Sequence, residues 1–229
     1  MKIPLYHAMT ALEFSACGAL PQDAAWMSCR FSPSGKGLCN LPASLPEGSL
    51  LILDDQTPPD GHDISMIFRQ LEQTLEANRC SGLLLDLQRP SHPENAQLAK
   101  KLLSLPCPVC VSHLYAENLS CPVFVPPCPL TTLMGQHLAP WQGREIWLDV
   151  ALDSADCRIL KNGCQIRPAS QEVLPFYDEK LFCHYGIRVE PAQIIFTLAR
   201  RKTDLDVLLT AAAACGVTRA VGLFQELCP

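Results

Sequence analysis

The segment from Gly82 to Pro90 constrains the fold of this chain more than any other. It is a short apolar run that ends in polar residues and a proline. Such a run, coming after a helical segment, is typical of a buried strand in a parallel sheet. Because side chains alternate along a strand, Leu84, Asp86 and Gln88 share one face. Ligands of α/β proteins bind at the carboxyl ends of such strands, so we expect a site near Asp86.

The rest of the chain repeats this alternation of strands and helices. Strands are predicted at 24–31, 49–53, 82–87, 108–113, 122–125, 145–153, 193–198 and 220–224. Apolar residues at helical spacing predict helices at 9–20, 64–79, 93–103, 130–138 and 203–216. Strands that alternate with helices favour a parallel sheet, and about eight of them favour a closed barrel. We therefore predict an α/β fold, a compact TIM-like (β/α) barrel of mostly parallel strands.

Residues 156–168 interrupt the alternation. Two β-like pieces flank Lys161-Asn162-Gly163, and Asn-Gly is typical of a tight primed turn. This pattern predicts a β-hairpin inserted near 156–168. A chain of 229 residues is normal for one α/β barrel, so we expect 1–229 to form a single barrel domain.

Composition excludes some classes of partner. The net charge is −5 and no basic stripe occurs, which argues against a nucleic-acid-binding surface. No apolar run approaches the ~18–20 residues of a transmembrane helix, so we expect no membrane contact. The 13 cysteines are irregularly spaced and several lie in apolar runs, which indicates buried, reduced thiols. We expect a cytoplasmic protein without a bound metal or cofactor; the oligomeric state is open.

Polar residues follow several of the predicted strands. Paired carboxylates at such positions can carry out general acid–base catalysis, and a histidine or an aromatic ring can bind a ligand. We expect three aspartates to converge as candidate catalytic residues, namely Asp54, Asp86 and Asp149. The candidate binding residues are Gln88, His113, Tyr115, Asp153 and Glu226.

The segment Ser81-Gly82-Leu83-Leu84-Leu85-Asp86-Leu87-Gln88 resembles the signature strand of family 18 glycoside hydrolases, the chitinase-like barrels. The family motif is Asp-Gly-x-Asp-x-Asp-x-Glu, of which Gly82 and Asp86 match while Ser81, Leu84 and Gln88 depart. In that family the last Glu protonates the leaving oxygen, and Gln88 stands in its place. The preceding Asp positions the substrate's acetamido group and corresponds to Asp86. Since an amide cannot donate that proton at neutral pH, the resemblance implies a relative that has lost the standard mechanism.

Three functions are compatible with these patterns. The first is a degenerate glycosidase-like protein that binds a glycan or sugar-like small molecule at the carboxyl ends of its strands. The second is an active hydrolase or lyase that uses Asp86 with Asp54, Asp149 or His113. The third is a non-catalytic barrel that binds another protein.

Overall fold

The computed structural model describes residues 3–55, 61, 63–90, 92–169 and 174–228. Its strands are β1 (Leu5–Met9), β2 (Ala24–Phe31), β3 (Leu38–Cys39), β4 (Leu50–Asp54), β5 (Gly82–Asp86), β6 (Val109–Ser112), β7 (Val123–Val125), β8 (Ile146–Val150), β9 (Ser154–Leu160), β10 (Gly163–Pro168), β11 (Phe176–Asp178), β12 (Cys183–Glu190), β13 (Gln193–Ala199) and β14 (Val217–Leu223). Its α-helices are α1 (Ala11–Ala16), α2 (Ile64–Ala77), α3 (Pro93–Leu102), α4 (Met134–Leu138), α5 (Leu205–Ala214) and α6 (Phe224–Leu227). Short 3₁₀ turns follow α4 and precede α5.

Eight parallel strands close into a barrel in the order β1-β2-β4-β5-β6-β7-β8-β14, and β14 pairs with β1. The predicted TIM-like barrel is therefore confirmed. The short strand β3 pairs antiparallel with β2 and lies outside the ring. The link between β6 and β7 contains turns and no helix, because the ten residues 113–122 are too few for a full crossover helix.

Alternation along the strands builds two cores. The inward residues of the strands, such as Leu50, Leu84 and Trp147, fill the barrel interior. Their outward neighbours, such as Leu83 and Leu85, pack in the layer that also contains the apolar faces of α2, α3 and α5. The predicted face assignment of the Gly82 strand therefore holds, and it directs Asp86 inward.

Two assignments within the predicted barrel differ from the structure. The barrel's first strand is β1, which the sequence pattern did not reveal because helix signals begin directly after it. Thr10 and Glu13 form a capping box that starts α1, which is shorter than the helix predicted over 9–20. The segment 193–198 is a strand, but it belongs to a second sheet. Periodicity identifies a strand without identifying its partners.

The second sheet lies between β8 and α5 in the chain. It has five antiparallel strands in the order β10-β9-β13-β12-β11. Its strands β9 and β10 form the hairpin that Asn162-Gly163 predicted. The insertion thus extends beyond the predicted hairpin to include β11, β12 and β13.

All thirteen cysteines are thiols in the structure. The Sγ atoms of Cys157 and Cys164 lie 2.9 Å apart across the β9–β10 hairpin. Their redox state in solution stays a prediction. Within the described residues, none of the helices is both long enough and apolar enough to cross a membrane.

Candidate active site

A cavity of about 160 Å³ opens at the carboxyl ends of the barrel strands. Strand β4 supplies Asp54, β5 supplies Asp86 and β8 supplies Asp149, each from an inward-facing position near the end of its strand. Helix α6 adds Glu226, whose Oε2 accepts a hydrogen bond from the backbone N–H of Leu152 at 3.0 Å. The structure therefore brings the three candidate aspartates together with one of the candidate binding residues. The apolar part of the wall includes Ala8, Met27, Ile52, Leu84, Phe124 and Val221.

Asp54 is held by an arginine that the sequence analysis did not single out. The Nε atom of Arg30 lies 3.6 Å from Oδ2 of Asp54, whose side chain is only 6% exposed. The two residues are direct neighbours on β2 and β4. The pairing of β2 with β4 shifts between Trp26 and Cys29, and this irregularity breaks the alternation that would have indicated the orientation of Arg30.

Asp86 and Asp149 share the cavity, and the carboxylate of Asp86 disfavours the ionisation of Asp149. Burial raises the pKa of Asp149 to about 7, and the nearby carboxylate of Asp86 adds to the shift. Burial also raises the pKa of Asp86 to about 6, although the hydrogen bond from Gln88 lowers it. Between about pH 6 and 7 the pair therefore holds roughly one proton, preferentially on Asp149. A neutral acid beside an ionised carboxylate is the arrangement that general acid–base catalysis requires.

This elevated pKa predicts a pH dependence of stability. The folded protein keeps the proton of Asp149 up to about pH 7, whereas the unfolded chain releases it near pH 4. The folded state binds more protons in that window, so the free energy of unfolding should fall as pH rises from about 4 to 7. If the folded state binds one more proton than the unfolded state, the free energy of unfolding falls by about 1.4 kcal/mol per pH unit. Urea unfolding of the natural protein and of Asp149→Asn across this range measures the difference, and parallel pH curves would contradict the prediction.

Gln88 lies beyond the end of β5, with its side chain exposed. Its Nε2 donates a hydrogen bond to Oδ1 of Asp86, and its backbone N–H donates to Oδ1 of Asp55 at 2.8 Å. Asp55 is fully buried and also accepts a hydrogen bond from Nδ2 of Asn95 at 2.7 Å. This buried carboxylate fixes the backbone that carries Gln88, and Gln88 in turn contacts the cavity acid Asp86.

The remaining candidate binding residues lie outside the cavity wall. The hydroxyl of Tyr115 donates to the carbonyl of Arg89 and accepts from the backbone N–H of His92, so Tyr115 supports the segment after β5. His113 is half-buried with its ring centroid 6.5 Å from that of Trp141, and burial lowers its pKa. Asp153 is exposed and accepts from the backbone N–H of Ser154. Ligand binding by these residues stays a prediction.

The acids of the cavity do not form an evident metal site. Among the residues that the structure describes, no three His, Cys, Asp or Glu side chains are grouped so as to hold a metal ion. The carboxyl groups of the cavity can transfer protons and accept hydrogen bonds from a ligand.

Fold and site together define an eight-stranded (β/α) barrel protein with an acidic pocket at the end of the barrel where this class binds ligands. Solved structures with this fold include chitinases. Catalytic domain 2 of the Ostrinia furnacalis Group II chitinase superposes with a TM-score of 0.58 at 8% identity, covering 99% of this chain and 91% of that chain. A mutant family 18 chitinase from Cycas revoluta, in complex with (GlcNAc)₄, superposes with a TM-score of 0.57 at 11% identity, covering 96% of this chain and 94% of that chain.

A spore cortex-lytic enzyme is also similar. The Bacillus cereus enzyme SleL superposes with a TM-score of 0.57 at 9% identity, covering 97% of this chain and 71% of that chain. No protein-family model matches the sequence, and no curated protein matches it. The resemblance to chitinase-like barrels is therefore confirmed at the level of the fold.

Proposed function

We propose that this protein binds a glycan in the acidic cavity of a chitinase-like barrel that lacks the family's standard proton donor. The observation that carries the proposal is the environment of Gln88. By the resemblance of the Ser81–Gln88 segment to the family motif it stands in place of the catalytic Glu, and its amide donates a hydrogen bond to Asp86. An amide there retains hydrogen bonding to a sugar while removing the acid.

A structural neighbour supports the ligand class. The Cycas revoluta chitinase was crystallised with a tetrasaccharide of N-acetylglucosamine, and one of its two substitutions replaces a glutamate with glutamine. A barrel of this fold therefore holds a chitin oligosaccharide while carrying such a replacement.

The cavity wall suits a sugar ring. Phe124 and Met27 offer apolar surface, and the carboxylates of Asp54 and Asp86 offer acceptors for hydroxyl or amide groups. Sugar rings present apolar faces and polar edges, a combination that matches such a wall. At about 160 Å³ the cavity is smaller than the ~300 Å³ lower bound typical of drug-sized ligands, which favours one ring inside with the rest of the glycan outside.

A second function has its own supporting observation. Asp149 has a pKa of about 7 and shares the cavity with Asp86. Asp149 could then donate the proton that Gln88 cannot, with Asp86 as its ionised partner. In that case the protein is an active hydrolase or lyase, and Asp149→Asn would abolish its turnover while leaving the shape of the cavity unchanged.

Calorimetric titration with (GlcNAc)₄ tests binding. We expect the natural protein to bind and Asp86→Ala to bind about 10- to 100-fold more weakly, since a hydrogen bond to a charged group contributes about 1.5–3 kcal/mol. Asp153→Ala is the matched control, because Asp153 is exposed and lies outside the cavity wall. Failure of the natural protein to bind this or any other oligosaccharide of a glycan array would overturn the proposal.

A further inference from the structure

One face of the five-stranded sheet is apolar and exposed. Residues directly opposite each other on paired strands lie on the same face of a sheet. Ile159 of β9 is opposite Ile194 of β13, which is opposite Val189 of β12. In the next row of this face, Ile166 of β10 is opposite Cys157 of β9, and Cys157 is opposite Phe196 of β13. Phe196 is in turn opposite Ile187 of β12. Phe176 of β11 continues the same face beside Tyr185.

These side chains are far more exposed than ordinary apolar residues of a sheet. Val189 is 74% exposed and Ile166 is 64% exposed. The other members with large exposure are Ile159, Phe176, Ile187 and Ile194, at 39–51%. We call these six residues the apolar face. At the barrel end the same side of the sheet is covered, since Leu198 and Cys183 are buried there against Leu130.

Charge is segregated to the other side of the sheet. Arg158, Arg167 and Arg188 occupy the alternate positions of β9, β10 and β12. Asp178 is in register with the apolar side, but it lies at the barrel end and accepts the backbone N–H groups of Lys180 and Leu181 at 2.8 and 3.0 Å. The exposed part of the face is therefore apolar across all five strands.

We propose that the apolar face is the interface of a symmetric dimer of this protein. A two-fold interface places one patch against its own copy, so the patch must be compatible with itself. A face without charges meets this condition, because no like charges are brought together. Two such sheets pack face to face about 10 Å apart, as in a β-sandwich.

The size of the face agrees with this occupant. Strands lie about 4.8 Å apart and same-face residues about 6.8 Å apart along a strand, so the face measures roughly 20 Å by 20 Å. That area of roughly 400 Å² equals the largest apolar patch of a typical monomer, about 300–600 Å², and such patches are often functional. It supplies the apolar centre of a standard interface of about 800 Å² per partner, and the turn at Lys161-Asn162 and the strand edges supply a polar rim.

Sedimentation velocity of the full chain tests the proposal. We expect the natural protein to sediment as a dimer at micromolar concentration. The variants Val189→Lys and Ile166→Lys should sediment as monomers, because either lysine would place two charges, one from each protomer, within a closed apolar interface. Both sites are exposed in the isolated chain, so circular dichroism should show unchanged folding. Gln165→Lys, on the opposite face of β10 next to Ile166, is the matched control and should remain dimeric.

The thiol of Cys164 gives an independent readout. It is exposed and lies beside Ile159 on the same face, so a bulky maleimide should modify it more slowly as protein concentration rises. The Val189→Lys variant should lose this concentration dependence. A natural protein that stays monomeric, or a dimer that neither lysine variant disrupts, would overturn the proposal. A monomer that co-sediments with phospholipid vesicles through this face would also overturn it, and would assign the face to a lipid surface.

Discussion

Gln88→Glu should produce hydrolysis of an aryl N-acetylglucosaminide where the natural protein shows little or none. The substitution replaces an amide with a carboxyl at the position that the motif resemblance matches to the family's proton donor. The Gln88 side chain already contacts Asp86, so the new carboxyl would lie beside that carboxylate and its pKa would be raised by the like charge. General acid catalysis typically contributes about 10²–10⁴-fold, which bounds the expected gain in rate.

The gain should stay below that bound, because a second acid of the family motif is replaced by Leu84. Leu84 is only 1% exposed inside the barrel, so an acid cannot be introduced there without a large cost in stability. Gln88→Ala is the control and should leave glycan binding weakened and hydrolysis absent. If the natural protein cleaves glycosides at ordinary enzyme rates and Gln88→Ala does not change the rate, the family mechanism does not apply. The pair Asp149 and Asp86 would then be the first candidates for the chemistry.

Trp147→Ala should lower the free energy of unfolding by about 3–5 kcal/mol, the usual cost of truncating a buried aromatic residue. The Trp147 side chain is completely buried inside the barrel, where its Nε1 donates to Oε1 of Glu145 at 3.0 Å. The guanidinium of Arg219 lies 4.6 Å from the ring centroid and would lose this cation–π contact. Urea denaturation followed by circular dichroism measures the change.

The close packing around the indole ring of Trp147 also explains why position 82 is glycine. A Cβ there would lie 3.2 Å from Cη2 of Trp147 and 2.9 Å from the carbonyl oxygen of Pro108. Trp141→Ala is the control for the unfolding experiment. Because Trp141 is only partly buried, its truncation should lower the free energy of unfolding by clearly less. If Trp147→Ala lowers the free energy of unfolding no more than Trp141→Ala does, the barrel interior repacks around the gap.

Local sequence patterns were sufficient to predict most of the barrel strands and which of their side chains share a face. Alternation depends only on neighbouring residues, so it correctly placed Leu84 and Asp86 on one face of their strand, and that face is the inward one. The same reasoning placed Asp54, Asp86 and Asp149 at the ends of separate strands, where a barrel brings them together. The Asn162-Gly163 turn was equally local and correctly predicted a hairpin.

The pairing of the strands could not be predicted from local patterns and is known only from the folded structure. It placed β1 in the barrel and β13 in the second sheet, because pairing depends on contacts between residues distant in sequence. For the same reason the sequence could not show that Arg30 lies beside Asp54, or that burial with Asp86 raises the pKa of Asp149 to about 7. The apolar face also arises from four strand pairings, since no single strand of that sheet carries enough exposed apolar residues to indicate a surface.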